Sequence, residues 1–146
     1  MANQDAHQRN RLRAYRSIFA FLPSIALAAS GLLNPIQAAT TADLAGSWSG
    51  GGWVAFASGT KERARCHAHY SRRSETSYTL SATCATASGN ASQTATLHKV
   101  GANSYSGGFH NSEYNVSGSI YVVVHGNSQS VRLSGDSGSA SLSLSR

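Results

Sequence analysis

From residue 44 onward, small or apolar residues alternate with polar ones, and no stretch repeats with a helical period. Alternation of this kind is the signature of strands with one buried face, and it predicts eight of them, over about residues 44–57, 61–71, 76–85, 91–100, 103–110, 113–125, 128–134 and 139–145. The turns set the register, because a hairpin must bring the apolar faces of both strands to the same side. With Gly126 and Asn127 as a two-residue turn, Val122 faces Val131 and Ile120 faces Leu133. With Asp136 and Ser137 at the last turn, Leu133 meets Ala140 and Val131 meets Leu142. Placing Asn111 and Ser112 at the preceding turn sets Phe109 opposite Tyr114 and Gly107 opposite Val116. A hairpin centred on Glu75 pairs Tyr70 with Leu80, Ala68 with Ala82 and Cys66 with Cys84. The expected inner face mixes Trp48, Phe56, Tyr70, Tyr78, Tyr105, Phe109 and Tyr114 with alanines and glycines, which suits a filled core better than a pocket.

Eight short antiparallel strands in sequential meander order form either a closed barrel or a two-layer β-sandwich. Closure removes exposed edges, and an eight-stranded barrel is just wide enough to be filled by side chains or to hold one small ligand. Gly46 and Trp48 in "LAGSW" and Arg146 ending "LSLSR" resemble the calycin pattern, in which a Gly-x-Trp opens the barrel and a basic residue of the final strand packs over that Trp. Calycins include the lipocalins, the avidins and small bacterial inhibitors of secreted metalloproteases. The resemblance therefore implies an all-β up-and-down barrel, with Trp48 and Arg146 as the pair at its closure. On the inhibitor analogy, the arm "ATTADLA", Ala39 to Ala45, would enter a protease cleft.

The first 38 residues change the picture of where this domain works. Arg9, Arg11, Arg13 and Arg16 precede the apolar run Ser17 to Leu33, and "NPIQA" leads to Ala38, the order of a cleaved secretory signal peptide. The run is slightly short for a membrane span and carries Pro23. The expected organisation is thus a leader over residues 1–38 and one β domain over 39–146, exported to the periplasm or the extracellular space. No membrane span is expected after cleavage. Export places the only two cysteines, Cys66 and Cys84, in an oxidising compartment, and as inward cross-strand partners they are expected to form a disulfide. The leader also holds four of the twelve Lys and Arg, so the formal charge of +6 is partly an export feature.

The remaining basic residues concentrate in "KERARCHAHYSRR". Arg63, Arg65, His67 and His69 share one strand face, with Lys61 below and Arg72 and Arg73 near the turn, a cationic ladder suited to phosphate, anionic lipid or polysaccharide. His67 and His69 have a spacing that can place two imidazoles on a transition metal, but the neighbouring arginines would repel a cation. Nucleic acid is not expected, since no aromatic residues interleave with the basic ones. The acids Asp43, Glu62, Glu75, Glu113 and Asp136 fall at turns or strand ends, so no carboxylate pair is placed to divide acid and base roles. "GDSGS" resembles a serine-protease nucleophile segment, but a single small barrel lacks the rest of that machinery and a turn explains the residues. "SGGGW" precedes a strand and not a helix, so it marks a bend and not a phosphate loop, and no cofactor is expected. Together these features predict a small exported binding protein that is not an enzyme. Its expected partner is a small molecule, a polyanion or a secreted protease.

Overall fold

Alternation becomes a closed surface when every strand finds two neighbours. In the computed structural model, which describes residues 43–146, the strands are β1 (Gly46–Phe56), β2 (Lys61–Arg72), β3 (Ser77–Thr86), β4 (Gly89–Lys99), β5 (Ser104–Asn111), β6 (Val116–His125), β7 (Ser128–Gly135) and β8 (Gly138–Ser145). Each is antiparallel to the next and β8 returns to β1, giving a closed barrel and not a sandwich. The leader expected over residues 1–38 lies outside the described residues. Among those described, no helix is long and apolar enough to cross a membrane.

The β2–β3, β6–β7 and β7–β8 registers are those that the hairpin turns predict, including Cys66 opposite Cys84, Val122 opposite Val131 and Leu133 opposite Ala140. Gly126 has a φ of 61°, the left-handed first position of a type II′ turn, which fits the twist of the flanking strands. The β5–β6 connection differs from expectation. Phe109 pairs with Gly118 and Gly107 with Ile120, because residues 112–115 form a longer loop. The Asn111 side chain, only 4% exposed, accepts the Tyr114 backbone N–H at 2.9 Å and so pulls the chain into a turn before β6 can begin. The shift is an even number of residues, so Phe109 stays inside, while Tyr114 moves to the loop and is 60% exposed.

Strand parity fills the interior. Trp48, Tyr70, Tyr78, Leu97, Tyr105, Val122 and Val124 are buried toward one end, which Leu44 closes from outside the first strand. At the opposite end the inward Val54, Phe56, Val116 and Ala140 are only half-buried. Inward glycines let the strands coil this tightly. A Cβ on Gly52 would fall on the Ser141 carbonyl oxygen, and one on Gly107 on that of Thr96. Cys66 and Cys84 form a disulfide across β2 and β3, at a sequence separation of 18. Closing that loop is worth about 3 kcal/mol on a chain-entropy account.

Candidate functional site on the outer wall

Because β2 alternates so strictly, its odd-numbered residues Lys61, Arg63, Arg65, His67 and His69 all stand on the outer wall and are exposed. Among the described residues, no outward strand position of the barrel carries Asp or Glu. Three of the acids are occupied elsewhere. Asp43 pairs with Arg72 at 2.9 Å and accepts the Tyr78 hydroxyl at 3.3 Å. Glu62 accepts the Ser88 backbone N–H at 3.1 Å together with the Ser88 hydroxyl, and Glu113 accepts the Ser92 N–H at 2.8 Å. Arg72 is thus turned to the barrel end, over the Tyr78 ring at 5.7 Å, and does not share the face of Arg63 and Arg65. Arg73 lies in the β2–β3 turn.

Trp53, which sequence reasoning did not assign to the site, completes the cationic patch. It stands opposite Arg63 and is 41% exposed. The Arg63 guanidinium lies 4.8 Å from the centre of its ring and the Lys61 ammonium 5.3 Å. One indole therefore holds two like charges side by side, an arrangement that cation–π attraction supports and that an anion bridging the two would relieve further. The signal was present in the chain, since Trp53 has the outward parity of Ser49 and Gly51.

Gly51 has no side chain, and the wall beside it sinks into a shallow depression of about 610 Å³ bounded by Ser49, Arg63, Arg65 and His67. A second depression of about 370 Å³ adjoins it, and a third of about 540 Å³ adjoins the second. His67 and His69 project side by side, and His69 Nδ1 shares a hydrogen bond of 3.0 Å with Ser47 Oγ. Among the described residues no three His, Cys, Asp or Glu side chains gather as metal ligands would.

The two barrel ends and the interior bear on other modes of binding. Trp48 Nε1–H donates to the Leu44 carbonyl at 3.0 Å. Arg146 donates to the Ala45 carbonyl at 3.0 Å, with its guanidinium 4.4 Å from the centre of the Trp48 ring. Asp43, Leu44 and Ala45 are therefore tied to the barrel end, while residues 39–42 of the arm expected to enter a protease cleft lie outside the described residues. Partial burial raises the Asp43 pKa, but hydrogen bonds from Ala45, Arg72 and Tyr78 and the Arg72 charge outweigh it and hold the carboxyl below its ordinary value. Burial, reinforced by Tyr78, pushes Tyr105 up to about 12. Deeper inside, the Tyr70 hydroxyl and the Gln129 amide lie near each other without a hydrogen bond of standard geometry. Burial drives the Tyr70 pKa well up, and the nearby Gln129 opposes this only in part.

No protein family matches the chain, and no curated protein is similar to it. Solved structures are similar in fold. A redesigned β-barrel, mFAP1, bound to DFHBI aligns with a TM-score of 0.61 at 13% identity, covering 70% of this chain and 94% of that one. A second redesigned barrel, mFAP0, also bound to DFHBI, aligns with a TM-score of 0.59 at 13% identity over 70% of this chain and 98% of its own. A fluorescence-activating β-barrel designed de novo aligns with a TM-score of 0.55 at 15% identity over 70% of this chain and 92% of its own. At such identities the likeness is one of architecture: the chain is an eight-stranded antiparallel closed barrel, a fold shared broadly with calycin-type and engineered fluorescence barrels.

Proposed function

We propose that this chain is a small exported binding protein of the cell envelope or extracellular space, not an enzyme, and that it holds an anionic ligand on the outer wall of β1 and β2. The observation that carries this is the row of Lys61, Arg63 and Arg65, the first two gathered on Trp53, on a wall with no outward carboxylate among the described residues. Export is supported by the basic, apolar and small-residue order of the leader and by the disulfide. The calycin kinship rests on Gly46, Trp48 and Arg146, with the guanidinium seated over the indole.

A polyanion should bind with an affinity that falls as salt rises, because neutralised ligand charges release their counterions. Replacing Arg63 and Arg65 by Ser should lower that affinity at least tenfold at low salt while leaving the melting temperature near its original value. Titration calorimetry across a salt series makes the measurement. Zn²⁺ in a parallel titration tests His67 and His69, whose metal binding the same replacements would improve. Polyanion binding that ignores both salt and the two arginines would end the proposal.

A further inference from the structure

The cationic patch is one end of a longer feature. The depression beside Gly51 shares Ser49 and His67 with the second depression, and the second shares His69 and Ser81 with the third, so the three form one shallow track over the outer wall. The strand registers explain its direction. Ser47, His69, Ser81, Thr94, His110 and Ser117 are consecutive cross-strand partners from β1 to β6. At each end an imidazole is fixed by a hydrogen bond to a serine, His69 to Ser47 at 3.0 Å and His110 to Ser117 at 2.9 Å. Between them the outward side chains are short hydroxyls, and Gly108 presents none at all. Low side chains flanked by imidazoles make the trough.

Resting on the anion-binding proposal above, we infer that this track receives a linear acidic polysaccharide, with carboxylates at Arg63 and Arg65 and the sugar chain crossing β3 and β4 toward His110. Each sugar of an extended pyranose chain advances by roughly the spacing between neighbouring strands, about 4.8 Å. A row of hydroxyls and imidazoles at that spacing can therefore exchange a hydrogen bond with each sugar in turn. From β1 to β5 the track covers four such steps, roughly 19 Å around the curving wall, enough for several sugars of a chain that bends with the barrel. Polynucleotides fit the same wall poorly. Among the described residues no row of aromatic faces lines the track for stacking successive bases, and Trp53 at its cationic end already carries two cations.

The test uses β-1,4-linked mannuronate oligomers from disaccharide to octasaccharide, with polyphosphate and single-stranded DNA of equal charge as comparators. Trp53 fluorescence reports the cationic end, and calorimetry reports the whole track. Affinity is expected to rise at least tenfold from disaccharide to hexasaccharide and to exceed that of both comparators. Thr94→Glu, midway along the track, should weaken the hexasaccharide at least fivefold and the disaccharide less than twofold. Ser130→Glu, the same charge change on β7 away from the track, should weaken neither. Affinity independent of length, equal affinity for polyphosphate or DNA, or equal effects of the two glutamate variants would each overturn the polysaccharide track while leaving the anion site standing. If neither the oligomers nor polyphosphate bind, both proposals fall together.

Discussion

At the level of single residues, the interior of this barrel contains one visible cost. The Tyr70 hydroxyl and both polar atoms of the Gln129 side chain are buried without a standard hydrogen bond, a condition that typically costs about 1–3 kcal/mol per group. The double variant Tyr70→Phe, Gln129→Leu is therefore expected to gain about 1–3 kcal/mol in urea unfolding. A loss would mean that the three atoms are satisfied in solution. The acids behave in the opposite sense. Asp43 is held low by hydrogen bonds and the Arg72 charge, which together outweigh its partial burial, and Glu62 is held low chiefly by the Ser88 hydroxyl. A carboxylate whose pKa is depressed on folding contributes stability above its unfolded value and loses it as pH falls through the folded one. The melting temperature should hold steady down to pH values near the ordinary 4.5 and 3.8 and then drop, and Asp43→Asn with Glu62→Gln should flatten that drop. Both groups are well solvated, so the effect is modest. Gln129 has the inward parity of Val131 and Leu133, but whether an inward amide finds a partner depends on residues across the barrel that no local pattern links to it.

At the level of strands and turns, what was legible depended on how far the chemistry is local. Two-residue turns at Gly126–Asn127 and Asp136–Ser137 announce themselves, and with them the registers of β6, β7 and β8. The β5–β6 loop did not, because its geometry depends on the Asn111 side chain folding back onto the Tyr114 N–H. The cationic ladder of β2 could be read from alternation alone. Its extension over three more strands could not, since that requires every intervening register at once. Glycine positions carry a related prediction. Gly107 lies where β5 passes so close to β4 that any Cβ would meet the Thr96 carbonyl, so Gly107→Ala is expected to destabilise the domain by about 1–3 kcal/mol. Gly59, whose Cβ would meet nothing within 4 Å, offers the comparison for a turn position under backbone strain alone. Chemical denaturation of the two variants separates crowding from strain.

For the whole molecule, closure is the decisive property, and it rests on the pairing of the first strand with the last. β8 pairs with β1 from Ser145 opposite Ser49 to Gly138 opposite Phe56, and Arg146 covers Trp48. Deleting Leu144 to Arg146 removes a leucine that is 3% exposed together with the guanidinium cover. The loss should be about 3 kcal/mol or more, felt by the whole barrel cooperatively. In a Trp53→Phe background the remaining Trp48 emission should shift to the red, and an unshifted spectrum would show that the seam tolerates the loss. The same seam governs when the protein can fold. The β2–β3 hairpin can form as soon as it is made, but β1 has no second partner until β8 has been synthesised, which gives the fold a high contact order. Until β8 docks, the chain remains an open sheet with two unpaired strand edges. The last step of folding is therefore also the step that removes every template for edge-to-edge association with another copy.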